Sequence, residues 1–371
     1  MTEESRTYSR RQVLRLGALA AASGLVAACQ PAPASQPPAG TAAPAPGGTA
    51  PGAAATKVEA PAVSKTGKVI TGNIANAHEP GTLIYQTHEE FARLIKAKTN
   101  GEIDLKVVGS SQLGAGRAAI EAVQAGSLEF CHGTNSYLGP FDQTRQIFDL
   151  PFIFRDADHM IKVMDGPIGQ EAVAVTEKTM DVTIYLEGMV EGPRVTFNRA
   201  RPIVTPKDYQ GLKIRVMENP INMATFKALG ANPVPMAIGE LYLALQQGTV
   251  DGAENVQPNI LAGKWHEVAK FISRTNHLNA PIQLIASNKW LSKLTADQRK
   301  AISEASKEAL AMQRNKWDAS VKEAEVGLEK EGAKFNSPEL APFRDAVASV
   351  WTEYQDKVGG KAKLDAILAV K

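Results

Sequence analysis

The chain has 371 residues, of which 44% are hydrophobic, and it carries 41 basic and 39 acidic residues for a formal net charge of +2. The basic excess comes from arginines in the first fifteen residues, so the remainder is neutral. This balance excludes the basic surface typical of nucleic-acid-binding proteins.

The N-terminus has the pattern of an export signal. Arg10 and Arg11 precede an uncharged apolar run at residues 16–28, which is too short to remain as a membrane span. Small residues then lead to Cys29. The pattern resembles a bacterial lipoprotein signal with a twin-arginine motif over residues 1–29, and it predicts lipidation of Cys29. The alternative is an ordinary cleaved signal with an incidental cysteine.

Residues 30–66 are rich in proline and alanine and contain no aromatic residue. Such a segment cannot build a core, so we predict a disordered linker that tethers a folded body to a membrane. The body, residues 67–371, is long enough for two domains. If Cys29 carries lipid, Cys131 is the remaining thiol, and its apolar neighbours predict that it is buried.

The first part of the body alternates strand and helix. Strands are predicted at residues 68–73, 102–108 and 128–132, and helices at 85–98 and 117–125, with a largely helical stretch at 158–179. This β-α-β-α-β order predicts a mostly parallel sheet covered by helices.

The second part repeats the alternation. Strands are predicted at residues 182–186, 194–198, 212–217 and 283–287, and helices near Thr205 and at 222–229 and 240–247. Residues 251–255 (Asp-Gly-Ala-Glu-Asn) are interpreted as a turn. A capping-box pattern at Thr295 begins a long polar helix to about Lys330, and a final helix is predicted over residues 341–358.

Two arginines alternate with apolar residues on predicted strands. Arg194 and Arg215 would therefore lie on the polar faces of two strands. Guanidinium groups bind carboxylates bidentately, so the pair could converge on an organic acid. An internal ion pair with an aspartate or glutamate is the alternative, and spacing alone favours it.

Other motifs give little support for chemistry. Gly114-Ala-Gly116 resembles a dinucleotide-binding loop, but residues 109–113 separate it from the strand, so the glycines are better explained by close approach of a helix N-terminus to a cleft. The six histidines are not paired at helical spacing, and no nucleophile or metal-protease motif occurs. We therefore expect a binding protein with no cofactor and no metal, rather than an enzyme.

Ten short motifs in a fixed order carry a family resemblance. The most specific are Leu-Pro-Phe-Ile-Phe at 150–154, Gly-Leu-Lys-Ile-Arg-Val at 211–216, Leu-Gly-Ala-Asn-Pro at 229–233, Ala-Leu-Gln-Gln-Gly at 244–248 and the Asp-Gly-x-Glu-Asn segment at 251–255. Together they resemble the extracytoplasmic substrate-binding subunits of TRAP transporters, the DctP type, from about residue 68 to 317.

The resemblance implies an α/β fold of the periplasmic-binding-protein type, with two lobes, hinge strands and a long bracing helix. Lobe 1 is expected to comprise residues 67–191 and about 281–320, and lobe 2 residues 192–280 and about 321–371. It implies that Arg215 binds the ligand carboxylate, with Arg194 and Asn255 assisting. Ile238 replaces a frequent aromatic residue and is expected in the pocket. Asn76 and Asn135 are placed there more loosely.

The predicted function is capture of a small organic acid outside the cytoplasm, by a receptor anchored through Cys29, and delivery to membrane-embedded TRAP subunits. Two alternatives stay open at this point. One is the binding protein of an ATP-driven importer, and the other is an exported α/β enzyme that acts on a carboxylate.

Overall fold

The computed structural model describes residues 69–371. The strands are β1 Ile70–Ala75, β2 Ile103–Val108, β3 Phe130–Thr134, β4 Val182–Met189, β5 Val195–Asn198, β6 Lys213–Val216, β7 Asn232–Pro235, β8 Gly252–Asn255, β9 Phe271–Ser273, β10 Ile282–Ser287 and β11 Lys334–Asn336. The α-helices are α1 Leu83–Lys98, α2 Gly116–Ala125, α3 Asn135–Leu138, α4 Ala157–Asp165, α5 Pro167–Met180, α6 Pro220–Ala228, α7 Leu241–Gln247, α8 Gln257–Ala262, α9 Asn288–Leu291, α10 Ala296–Lys330, α11 Ala341–Ala346, α12 Ala348–Tyr354 and α13 Gly360–Ala369.

The predicted export signal, the lipidation of Cys29 and the linker fall at residues 1–66, outside the described residues. From residue 69 onward, no helix combines the length and the apolar character needed to cross a bilayer.

The first sheet has five strands in the order β2-β1-β3-β10-β4. Its first three strands run parallel, and β10 runs antiparallel to both β3 and β4. Phe91 of α1 and Ile302 of α10 pack on one face, and Ile120 of α2 packs on the other, beside the buried Cys131. The predicted β-α-β-α-β order is confirmed, and the sheet is mostly parallel, because within it only β10 runs opposite to the other four strands.

The second sheet has six strands in the order β11-β9-β5-β8-β6-β7. The Asp-Gly-x-Glu-Asn segment, predicted to be a turn, is instead the buried strand β8. It lies between β5, which is antiparallel to it, and β6, which is parallel. Because neighbours on both sides satisfy its backbone, polar residues that favour turns in isolation are held extended here.

The chain passes between the sheets three times, after β4, after β9 and through α10. Helix α10 has 35 residues and begins at the predicted capping box of Thr295 and Gln298. Its buried Gln313 accepts a hydrogen bond from the Val190 backbone N–H at 3.0 Å and donates to the Val190 carbonyl. The expected hinge strands and bracing helix are thus present.

The predicted final helix at residues 341–358 is wrong in its continuity. Two short helices, α11 and α12, replace it, followed by a 3-10 turn at Gln355–Val358, and α13 begins at Gly360. The α-helix is interrupted at Val347, whose φ of −95° and ψ of 3° lie outside the α-helical range. Gly359, with φ of 114°, lies just past the predicted end at residue 358.

Candidate functional site

Strand β6 buries Arg215 completely while Ile214 and Val216 face an apolar cluster. The Arg215 Nε and Nη2 groups donate to the Met236 carbonyl at 2.8 and 2.6 Å. Nη2 also donates to the Tyr137 hydroxyl at 3.2 Å. No aspartate or glutamate from residue 69 onward forms an ion pair with Arg215, and its Nη1 has no hydrogen-bond partner there.

The other arginine behaves differently. Arg194 precedes β5, and its Nε and Nη2 groups donate to both carboxylate oxygens of Glu254 on the neighbouring β8. Burial alone would raise the pKa of Glu254, but Arg194 and His277 lower it from 4.5 to about 2. The internal ion pair considered from spacing is therefore formed at Arg194, and its Nη1 group lies 3.9 Å from Glu191.

Both arginines line a cavity of about 30 Å³, the inner cavity, whose other lining residues are Ala77, His78, Gly116, His132, Thr134, Tyr137, Glu191, Met217, Ile238 and Asn255. Helix α2 begins at Gly116 with no side-chain cap. A Cβ at Gly116 would lie 2.9 Å from the Tyr137 ring. The first-turn amides of α2 therefore approach the cavity only because this residue is glycine, as the sequence indicated.

Four predicted site residues meet in this cavity: Arg194, Arg215, Ile238 and Asn255. The Asn255 Oδ1 atom accepts hydrogen bonds from the Val256 N–H at 2.8 Å and from Asn259 Nδ2 at 3.0 Å. The amide oxygen is thus occupied, which leaves the Nδ2 group as the donor available to a ligand.

Asn76 and Asn135 do not line the cavity. Asn76 is fully buried, contacts His88 at 2.9 Å and accepts from the His78 N–H at 2.9 Å. Asn135 is also fully buried and donates to the Arg145 carbonyl at 2.9 Å. The residues two positions further along the chain, His78 and Tyr137, reach the cavity instead.

A second space, the outer cavity, adjoins the first and has a volume of about 140 Å³. The two share Ala77, His78 and Ile238 as lining residues. Most of its other lining residues are polar. Besides the three shared residues, the outer cavity is lined by Glu79, Thr82, Ser110, Ser111, Gly239, Tyr242, Asn259, Ala262, Gly263 and Trp265.

Three side chains beside Arg215 have metal-ligand character. The ligand atoms of His78, His132 and Glu191 lie within 4.8 Å of one another. The His78 Nε2 atom is 3.0 Å from Glu191 Oε1 and 3.1 Å from His132 Nε2. Burial first, and His78 second, hold the pKa of His132 well below 6.5, so this ring is a neutral acceptor. One proton on His78 Nε2, shared between both acceptors, accounts for these distances, and we assign no metal.

Sequence reasoning missed His78, His132, Tyr137 and Glu191. A signal existed for the histidines, because His132 lies on β3 and His78 lies just beyond the end of β1. Neighbouring parallel strands end at one edge of a sheet, where ligands usually bind. Tyr137 has no comparable signal, since tertiary packing alone brings it to Arg215. Glu191 lies only three residues before Arg194, so its sequence position was a signal for that contact.

Comparison with known proteins identifies the family. The model of the family described as bacterial extracellular solute-binding protein, family 7, matches residues 74–357. The chain belongs to this family. A solute-binding protein of Chromohalobacter salexigens is 34% identical over 276 residues, which cover 74% of this chain and 81% of that protein. The 2,3-diketo-L-gulonate-binding periplasmic protein of Escherichia coli is 34% identical over 228 residues, or 61% of this chain and 68% of that protein.

Solved structures extend the agreement to the whole fold of this solute-binding protein. A TRAP periplasmic solute-binding protein of Polaromonas sp. JS666, bound to D-erythronate, has a TM-score of 0.78 and 33% identity, covering 81% of this chain and 99% of that one. Its counterpart from Roseobacter denitrificans, with bound β-D-glucuronate, has a TM-score of 0.77 and 32% identity, covering 81% and 100%. The resemblance to TRAP substrate-binding subunits and the two-lobed fold class are confirmed.

Proposed function

We propose that this solute-binding protein captures a small organic acid by its carboxylate and delivers it to a TRAP-type membrane transporter. Arg215 is the primary anion-binding residue. Arg194 Nη1 and Asn255 Nδ2 add donors, and Ile238 shapes the cavity. Asn76 supports the backbone of His78, and Asn135 holds the Arg145 carbonyl, so neither contacts the ligand.

The observation that carries the proposal is the unpaired charge of Arg215. Transfer of an ion from water to a protein interior is unfavourable by several kcal/mol unless an opposite charge compensates for it. Arg194 has Glu254, whereas no acid from residue 69 onward pairs with Arg215. Its Nη1 has no partner among the described residues, and Arg215 lines a cavity with room for roughly two water-sized groups, which suits the two oxygens of a carboxylate.

The contacts around the inner cavity also supply a mechanism for closure. Tyr137 belongs to the part of the chain between β3 and β4, and Arg215 belongs to the second sheet. A carboxylate bound to Arg215 would touch Gly116 and Tyr137 on one side and Asn255 on the other. A ligand favours the closed form only when it binds that form more tightly, and contacts from both sides have this effect.

Several finer assignments belong to the same proposal. We assign lobe 1 to residues 67–191 and about 281–320, and lobe 2 to residues 192–280 and about 321–371. We also propose that Cys29 is lipidated after export through a twin-arginine signal, which would hold the receptor at the outer face of the cytoplasmic membrane.

We further propose that the protein performs no reaction on its ligand. Its relatives are named as solute-binding proteins. They favour a TRAP partner over an ATP-driven importer, because the similar solved structures are TRAP proteins. Mass spectrometry of the acid recovered after long incubation tests this point, since an enzyme would return an altered molecule.

The central experiment is a thermal-shift screen against organic acids, followed by calorimetry on Arg215→Lys. A specific ligand at 100 times its Kd should stabilise the protein by about 2.7 kcal/mol. Lysine keeps the charge but loses the planar fork, so we expect affinity to fall about 10- to 100-fold. Arg201→Lys is the matched control, because Arg201 is exposed and donates only to the Asp208 and Gln210 carbonyls. Unchanged affinity in Arg215→Lys would reject the proposal.

A further inference from the structure

Beyond carboxylate capture, the walls of the two cavities carry a distinct distribution of charge. Arg215 is the one cation on them that lacks an acidic partner among residues 69–371, because Arg194 is engaged by Glu254. Glu191 and Glu79 contribute carboxylates to the inner and outer cavities, and no lysine or arginine of the described chain lines the outer one.

From this distribution we propose that the ligand is a hydroxylated monocarboxylate, and that Glu191, oriented by His78, selects it against dicarboxylates. The inference rests on the proposed binding of a carboxylate at Arg215. It adds two points: the rest of the ligand carries hydroxyl groups and no second carboxylate, and Glu191 is the residue responsible for this selectivity.

Glu191 has one oxygen that is free to receive a ligand hydroxyl. Its Oε1 atom accepts from His78 Nε2 at 3.0 Å and lies 3.3 Å from Asn259 Nδ2. Within residues 69–371, the sole polar contact of its Oε2 atom is with Arg194 Nη1 at 3.9 Å, which is longer than a hydrogen bond. Because the inner cavity opens on Glu191, a hydroxyl beside the bound carboxylate could donate to Oε2.

The protonation state of Glu191 excludes the opposite preference. A protonated glutamic acid could donate to a second carboxylate of the ligand, but an ionised one only accepts. Burial alone would raise the pKa of Glu191, but His78, His132 and Arg194 lower it from 4.5 to about 2. Glu191 is therefore ionised at neutral pH, and a second ligand carboxylate would face like charge in a largely buried site.

The remainder of the ligand would occupy the outer cavity. Its volume of about 140 Å³ has room for on the order of ten water-sized groups, enough for a carbon chain with several hydroxyls. Glu79, Thr82, Ser110, Ser111, Tyr242 and Asn259 offer hydrogen-bonding groups to such hydroxyls. An unsubstituted alkyl chain would instead remove water from these polar walls without forming a hydrogen bond to them, which disfavours it.

The test compares acids that differ only at the end remote from the shared carboxylate. Gluconate is paired with glucarate and erythronate with meso-tartrate, and hexanoate serves as the acid without hydroxyls. Glucuronate and galacturonate extend the monocarboxylate set. By calorimetry at neutral pH with EDTA present, we expect the tightest ligand to be a hydroxylated monocarboxylate. Its dicarboxylate partner should bind about 100-fold more weakly.

The variant Glu191→Gln keeps the shape and removes the charge. We expect the ratio of monocarboxylate to dicarboxylate affinity to fall about tenfold or more. The variant no longer repels the second carboxylate, and its hydrogen bond to the ligand hydroxyl is weaker. A purely structural role would lower both affinities equally. Glu79→Gln is the second variant, and we expect it to lower the same affinity ratio by a smaller factor. Glu323→Gln, at an exposed position, is the control.

The two proposals fail in different ways. Arg215-dependent binding that is tightest for a dicarboxylate or for hexanoate would overturn the selectivity and leave carboxylate capture intact. Absence of binding by every acid would overturn both. Binding that requires an added divalent cation would reassign His78, His132 and Glu191 to a metal site, and it would also overturn the selectivity proposal.

Discussion

The guanidinium of Arg215 donates through Nη2 to the hydroxyl of Tyr137 at 3.2 Å, across 78 residues of sequence. This hydrogen bond joins the second sheet to helix α3, which follows the first sheet's strand β3. It orients the guanidinium from one side while the Met236 carbonyl holds it from the other.

We expect Tyr137→Phe to weaken binding of the cognate acid about tenfold, because the Tyr137 hydroxyl lines the inner cavity and orients the guanidinium of Arg215. The same hydrogen bond is lost in the unliganded protein, so the free energy of unfolding should also fall, by about 1.5–3 kcal/mol. Calorimetry measures the affinity. The control is Tyr354→Phe, which removes a hydroxyl 3.3 Å from the Pro220 carbonyl and away from both cavities. Equal losses in both variants would count against a role for Tyr137 in binding.

Glu254→Gln should destabilise the fold by about 3–5 kcal/mol, because it leaves the buried Arg194 without its counter-ion. Denaturant unfolding with and without ligand measures this change. Bound carboxylate should restore more stability to the variant than to the wild type, since Arg194 then becomes a second free cation. Glu323→Gln on the exposed side of α10 is the matched control. A decrease of less than about 1 kcal/mol in the free energy of unfolding would show that the Arg194–Glu254 ion pair stabilises the fold no more than an exposed ion pair does.

Gln313→Leu should lower the free energy of unfolding by roughly 1–3 kcal/mol for each backbone group of Val190 that it leaves unpaired. Val190 immediately precedes Glu191, so the affinity for the ligand should fall as well. Asn315→Leu changes an exposed amide on the same helix and serves as the control. Chemical denaturation and calorimetry on both variants separate the two effects, and a variant as stable as the control would exclude this bracing contact.

Buried histidines should contribute to loss of stability in acid, against an opposing contribution from Asp149, because burial raises the pKa of Asp149 from 3.8 to about 6. Burial first, and the nearby His78 second, lower the pKa of His88 from 6.5 to about 3. The unfolded chain therefore binds the proton more readily, so stability is fully present above pH 6.5 and declines as pH falls toward 3. Each such group contributes up to about 1.4 kcal/mol per pH unit.

His88→Gln should flatten this decline between pH 6.5 and 4.5, because glutamine does not titrate and its side-chain oxygen can still accept a hydrogen bond from Asn76. Urea unfolding at several pH values makes the comparison. His132 contributes in the same direction, so the flattening should be partial. An unchanged slope in the variant would mean that His88 takes up no proton on unfolding.

The sequence by itself determined the features that depend on near neighbours in the chain. Periodicity placed Arg215 on a strand between buried Ile214 and Val216, and the Thr295 cap marked the start of the long helix. The order of motifs identified the family over most of the body. These features depend on residues that are close in the chain or on the order of motifs, so they can be predicted without knowledge of the fold.

Tertiary structure decided which of the two arginines is paired. Arg194 and Glu254 are 60 residues apart, and they meet because β5 and β8 are neighbours in the second sheet. Pairing in the same sheet made β8 out of a segment predicted to be a turn. His78 and Glu191 meet because they follow β1 and β4, two strands of the first sheet. A charge is compensated or left free according to its neighbours in space, and the sequence alone does not specify those neighbours.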